Sequence, residues 1–314
     1  MKKVFMMMAV LAMVFAMGCH KDPENGGNNG GNAVTYTVTF NANGGSGTMQ
    51  PQTFTEGEAK ALTANAFTYQ YHTFVNWNTA ADGTGITYTD TQQVALTQNL
   101  SLYAQWKPLK GELNGHEWVD LGLPSGKLWA ICNVGASSPT DYGDYFAWGE
   151  ITPKADNAIN WIGYKYANGD GNKLTKYCNN SSYGDNGFTD TLTVLLPEDD
   201  AATANWGAGW RMPTKAEMQE LFNNTTVMWT TQNGINGLLF TASNGNSLFL
   251  PAAGRRTGGL YFDGLVGYYW LSLLNTIGPD SAWYFHFGSG GSGVDFDYLR
   301  FNGFTVRPVC TAQN

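Results

Sequence analysis

The sequence predicts a β-rich α+β protein, and three observations carry that expectation. Only 13% of its 314 residues are charged while 14% are aromatic, a balance that suits short strands better than long surface helices, which need Glu, Lys and Arg. Its 39 glycines supply the positive-φ positions that many turns require. Alternating apolar and polar stretches recur along the chain, and a helix-start signature stands at Thr214. The length allows about two domains. With 17 basic against 25 acidic residues and a net charge of -8, there is no basic patch to neutralise phosphates, so nucleic acid is not an expected partner.

The N-terminal residues 1–18 read as an export signal: Lys2 and Lys3, an apolar run from Val4 to Met17, then Gly18 and Cys19. The run is short for a bilayer span; an uncleaved anchor is the alternative. Phe15-Ala16-Met17-Gly18-Cys19 resembles a bacterial lipobox, with Phe15 where Leu is usual. That resemblance implies cleavage before Cys19 and lipidation of Cys19, hence a membrane partner through N-terminal lipid, each buried CH2 adding about 0.8 kcal/mol. Residues 19–33 are a Gly/Asn-rich tether, His20-Lys21-Asp22-Pro23-Glu24 followed by NGGNNGGN, which cannot bury apolar surface. Its acidic start is similar to the signal that places Bacteroidetes lipoproteins on the cell surface. The expected location is the outer membrane, lipid-anchored and facing outward.

Residues 34–107 form a first unit. Tyr36, Val38 and Phe40 alternate with Thr35, Thr37 and Thr39 as in a half-buried strand, and Asn41-Ala42-Asn43-Gly44-Gly45 turns it. Phe74-Val75-Asn76-Trp77, the Asp82-Gly83-Thr84-Gly85 turn and Leu100-Ser101-Leu102-Tyr103-Ala104-Gln105-Trp106 follow the same logic. Together these pieces resemble the Listeria-Bacteroides repeat, also called the internalin B-type repeat. The resemblance implies a small β-grasp-like repeat module of extracellular proteins, a spacer or adhesion element, here in one copy.

A short linker is expected around Lys107 to Lys110, and residues 113–311 form the second unit. The segment GHEWVDLGLPSGKLWAICNVGASSPTDYGDYFAWGE, then NWGAGWRMPTKAEMQELFNN, LFLPAAGRR, GYYW and FTVRPVC resemble, in that order, the Fibrobacter succinogenes major paralogous domain. The resemblance implies a C-type-lectin-like domain with few helices, a twisted sheet, long loops and termini drawn together. Locally, Thr214 and Glu217 make a capping box, and Met218, Leu221 and Phe222 fall on one face, so a helix of two to three turns begins at Lys215. Trp129, Cys132 and Val134 belong to an early strand and Val306, Pro308 and Cys310 to a late one. With Cys19 assigned to lipid, three cysteines remain, Cys132, Cys178 and Cys310. An exported location permits a disulfide; the favoured pair is Cys132 with Cys310, and three free thiols are the alternative.

Reactive constellations are not recognisable. The histidines at positions 20, 72, 116 and 286 lack metal-ligand spacing. Gly126-Lys127 is followed by Leu128 where a phosphate loop needs Ser or Thr. Asp141, Asp144 and Glu150 are close in sequence, which is weak ground for acid or base work. Asn168-Gly169-Asp170-Gly171-Asn172 has the start of a calcium loop, but Asn179 stands where its bidentate Glu belongs. No cofactor or metal is expected, calcium alone staying open without a supporting motif, and no catalytic residue is assigned. An enzyme on a formylglycine-generating-like fold and a structural or fimbria-associated protein are the competing classes.

Recognition is the expected function. Between Ala282 and Gly288, Trp283, Phe285 and Phe287 share one face, read as core, and Tyr284, His286 and Gly288 share the other. Asp295, Phe296, Asp297, Tyr298 and Phe301 interleave rings with acids, the composition of a paratope. With Leu271, Leu273 and Leu274, where the resembled family has small polar residues, they make a candidate surface for an extracellular protein or glycan. From Gly234 to Cys310 the chain has no Lys, Glu, Gln or Met. That composition fits residues encodable by NNY codons, as in variable proteins diversified by retroelements, and motivates diversification of this segment.

Overall fold

The computed structural model describes residues 33–154 and 156–311. It is β-rich with few helices, 41% strand and 9% helix. The export signal, the tether and Cys19 lie outside the described residues.

The first unit contains β1 (Thr35–Asn41), β2 (Gln52–Thr55), β3 (Ala59–Ala61), β4 (His72–Asn78), β5 (Thr87–Tyr88), β6 (Gln93–Ala95) and β7 (Leu100–Pro108). Five of them form a sheet ordered β2-β1-β7-β4-β5, with β1 and β7 parallel and β3 paired with β6 outside it. Alternation works as the sequence predicts: Val38 and Phe40 are buried while Thr35 and Thr39 are exposed. Trp77 is the hub of this core, with Phe40 and Phe74 rings 4.9 and 5.0 Å away, and its indole N–H donates to Asp90 at 3.3 Å.

Where a linker was expected, the chain passes almost directly from β7 into β8 (Lys110–Leu113). Leu109 alone intervenes, its N–H donating to the Tyr71 carbonyl and its carbonyl accepting from Asp120 N–H, both at 2.7 Å. Lys107 pairs with the buried Asp120 at 2.6 Å. The junction is therefore hydrogen-bonded on both sides.

The second unit continues with β9 (His116–Asp120), β10 (Lys127–Ala130), α1 (Ala201–Trp206), α2 (Lys215–Asn223), β11 (Thr225–Gln232), β12 (Ile235–Ala242), β13 (Ser247–Pro251), β14 (Arg255–Arg256), β15 (Leu260–Tyr261), β16 (Val266–Leu274), β17 (Ser281–Gly288), β18 (Gly291–Leu299) and β19 (Val309–Thr311). The early strand β10 pairs with the last strand, β19, in a sheet ordered β19-β10-β9-β8. The other main sheets are β11-β12-β13 and β16-β17-β18. Thr214 caps α2 with the reciprocal Thr214–Glu217 bonds that its sequence calls for, and Met218 and Leu221 are buried.

The favoured disulfide is corrected: Cys132, Cys178 and Cys310 are all free thiols. Register is the reason. Cys310 lies opposite Leu128 across the β10–β19 ladder, four residues from Cys132, and at roughly 3.3 Å per residue that separation exceeds the reach of an S–S bridge. Burial pushes the Cys310 thiol up to about 11 and raises that of Cys132 as well.

Strands β16 and β17 have a core on each side. Tyr269, Leu271, Phe285 and Phe287 face one cluster, with Met218, Leu221 and Phe240. Tyr268, Trp270, Ala282 and Tyr284 face a second, with Trp148, Phe304 and Val306. Gly267 permits this: an added Cβ there would lie 2.1 Å from the fully buried Phe287 ring. Gly267→Ala should therefore destabilise the protein by about 1–3 kcal/mol in chemical denaturation. Gly290→Ala, where a Cβ meets open space, should stay within about 0.5 kcal/mol of wild type.

Candidate functional site

The second face of the β16-β17-β18 sheet is covered over only part of its length. Phe304 stacks on Trp270 at 4.1 Å and lies 5.1 Å from Tyr284, sealing that end. One row further along β17 the cover stops: His286 is half-buried and Phe296 is 45% exposed. A shallow concavity of about 310 Å³ lies there, lined by His286, Gly288, Gly290, Gly291, Ser292 and Phe296.

The β14–β15 hairpin reaches the same sheet through Arg255, which contacts Tyr268 and Tyr298. Tyr261 is 49% and Phe262 47% exposed, and Phe262 holds a left-handed backbone with φ 62°, a conformation that bulky residues seldom adopt. Its carbonyl accepts from Leu265 and Val266 N–H at 3.0 and 2.9 Å, closing the turn that presents the ring. Arg255 extends among aromatic rings, 4.8 Å from the Tyr298 centroid, 5.7 Å from Tyr268 and 5.8 Å from Phe262. Its Nη1 donates to the Tyr298 hydroxyl, whereas its buried Nε has no acceptor. Among the described residues no carboxylate lies within ion-pair distance of Arg255.

The predicted binding residues divide. His286, Phe296 and Tyr298 come together here. Leu271, Leu274 and Tyr284 are core, because both faces of β16 and β17 are covered where they sit, and they leave the candidate surface. Leu273 is half-buried and bridges Val194. Phe301 packs edge-on against Trp161 at 5.0 Å. Asp295 and Asp297 lie on the opposite face from Phe296 and Tyr298: Asp297 is opposite Trp283, and Asp295 pairs at 2.7 Å with Lys215 of α2, whose ammonium sits over the Trp283 ring. The acid–aromatic alternation is thus two surfaces. Sequence reasoning missed Arg255, Tyr261 and Phe262; the signal available was the apolar run Leu260-Tyr261-Phe262 set between Gly258-Gly259 and Gly264.

Two of the three carboxylates weighed for chemistry, Asp141 and Glu150, are engaged in holding the fold. Asp141 accepts from the Ser137 and Ser138 N–H groups at 3.2 and 2.9 Å. Glu150 is buried against Lys154 at 2.6 Å and accepts from Lys165 N–H. The Asn168–Asn172 loop closes on itself, Asn168 N–H donating to the Lys173 carbonyl at 2.8 Å. Among the described residues no group of three or more His, Cys, Asp or Glu side chains is placed to hold a metal ion.

Residues 36–105 match the Listeria-Bacteroides repeat domain. No curated protein and no solved structure matches the chain.

Burial holds the His286 pKa below its ordinary value of 6.5, so the folded protein keeps this ring neutral while the unfolded chain protonates it more readily. The unfolded state then binds more protons, and stability falls as pH drops through about 6.5. Wild type should lose more stability than His286→Gln between about pH 7.5 and 5, measured by urea denaturation at each pH; equal losses would show that His286 is not coupled to folding.

Proposed function

We propose that this chain is a non-enzymatic recognition lipoprotein of the outer membrane. Cys19 carries the lipid, the Gly/Asn tether and the repeat unit, as a β-grasp-like spacer, hold the second unit outward, and that unit is C-type-lectin-like. What supports the lectin-like reading is the ordered series of motifs together with the pairing of β10 and β19, which closes the unit on itself. The observation that carries the recognition reading is the uncovered end of the β16-β17-β18 sheet. Rings that elsewhere on the same face are core, such as Trp270 and Tyr284, give way there to exposed Phe296, while on the neighbouring hairpin Tyr261 and Phe262 are exposed and Phe262 lies against Arg255, which has no ionic partner among the described residues. Exposed, scaffold-held rings supply contact area at small entropic cost.

Retroelement diversification, if it acts on this gene, acts through the exposed positions. His286, Asp295, Phe296 and Asp297 accept substitution at a solvated surface, whereas Tyr284 is closed to it by packing against Phe304. Sibling genes should vary at the former codons and keep the latter.

Adhesion of cells displaying the full chain to immobilised mucin and to albumin tests the reading. Tyr261→Ala combined with Phe296→Ala should lower mucin adhesion about tenfold or more, Leu273→Ala should leave it unchanged, and Cys19→Ala should remove display. Equal adhesion of the double variant and wild type would contradict the placement of the surface.

A further inference from the structure

We infer that two copies of this chain join through β11, the outer edge of one pairing antiparallel with the same edge of the other about a two-fold axis through Met228. The inference goes beyond the recognition reading and does not depend on it. The edge is open, it is unguarded, and its sequence matches itself when reversed. Strand β11 (Thr225–Gln232) bonds to β12 alone, and none of its eight residues is buried, whereas β12 and β13 each bury four. The Asn233-Gly234 turn, at φ 49° and 82°, closes the hairpin with Gln232 and Ile235 as a hydrogen-bonded pair. Bonding alternates from there: Thr226, Met228, Thr230 and Gln232 turn their N–H and C=O groups to β12, and Thr225, Val227, Trp229 and Thr231 turn theirs outward. Among the described residues no other backbone group takes these up.

Long edges are normally guarded by charge, proline or a bulge. From Leu221 to Gly254 no residue is charged, and the one proline there, Pro251, lies on β13. The β11–β12 ladder runs without a shift from Thr225 opposite Ala242 to Gln232 opposite Ile235. Two copies that each carry a net charge of -8 repel one another, and this uncharged sheet is where they approach at least cost. The order of residues selects a second copy over any other strand. Thr225-Thr226-Val227-Met228-Trp229-Thr230-Thr231 reads nearly the same in both directions. Pairing about Met228 sets Thr225 against Thr231 of the second copy, Thr226 against Thr230, Val227 against Trp229, and the 54% exposed Met228 against its counterpart. Thr–Thr and aromatic–β-branched neighbours are favourable cross-strand pairs. The register also joins the outward-turned groups to one another. Val227 and Trp229, which pack against the core that holds Phe287, gain cover from the second copy. Each copy uses up its own edge, so the assembly closes at two.

Sedimentation equilibrium of the full chain in detergent tests this, and wild type should be a dimer in the micromolar range. Met228→Lys sets two ammonium groups against each other at the axis, and Thr231→Pro removes an outward N–H while leaving the bonds to β12 in place. Each should weaken association about tenfold or more. Ser247→Lys, exposed on the far strand of the same sheet, should leave it unchanged. Circular dichroism and thermal unfolding check the fold of every variant. Met228→Cys reads the register, because the two Cα atoms of a non-hydrogen-bonded pair lie about 4.5 Å apart, within disulfide reach. Mild oxidation should therefore cross-link this variant beyond the wild-type level. Dimers that persist in both Met228→Lys and Thr231→Pro, or a Met228→Cys chain that does not cross-link, would overturn the inference. A monomeric wild type would overturn it too, leaving the edge to a strand of a different protein.

Discussion

The structure of the second unit depends on the double-sided burial of the β16–β17 pair. A strand presents successive side chains to opposite faces, so a pair covered on both sides must be apolar at nearly every position. Tyr268-Tyr269-Trp270-Leu271 and Tyr284-Phe285 meet that demand. A shift of register by one residue would exchange the two cores wholesale. Gly267, which leaves room for Phe287, fixes the pairing further.

The cover on the second face comes from the C-terminal segment, held by two buried arginines without carboxylate partners. Arg307 donates from Nε to Asn133 at 2.8 Å and from Nη1 to the Ile131 carbonyl at 2.9 Å. Arg300 donates to the Tyr177 carbonyl at 2.9 Å and lies over the Trp148 and Tyr164 rings. Backbone carbonyls and rings replace part of the water that each guanidinium gives up, Arg300 Nε and Arg307 Nη2 being left without an acceptor. Between these anchors Phe304 is pressed onto Trp270 and Tyr284. The strap leaves the row containing His286 and Phe296 uncovered, so the open face is a consequence of where the cover ends.

Much of this was legible in the sequence. The alternation of β1 and the α2 capping box follow from local pattern and hold in the structure. The disulfide did not follow, because spacing along a chain does not disclose the register between two strands. The candidate surface was half legible for a related reason. Period-two reading placed Tyr284 and His286 on one face correctly, but whether that face is core or solvent changes between them, and the change is set by Phe304, far along the chain. It also could not show that a register shift in the β17–β18 ladder and the position of α2 send Asp295 toward Lys215. Arg255 carried no local signal, since its meaning lies in the absence of a neighbouring acid in space.

Hydroxyl-radical footprinting of the full chain tests the central claim most directly, because it reads the two faces and the end of the cover without any ligand. Phe296, Tyr261 and Phe262 should be oxidised rapidly, while Tyr284, Trp270 and Phe285 stay protected until the protein unfolds. Oxidation of Tyr284 as fast as Phe296, or protection of Phe296, would contradict the account, since the face would then be open or closed along its whole length.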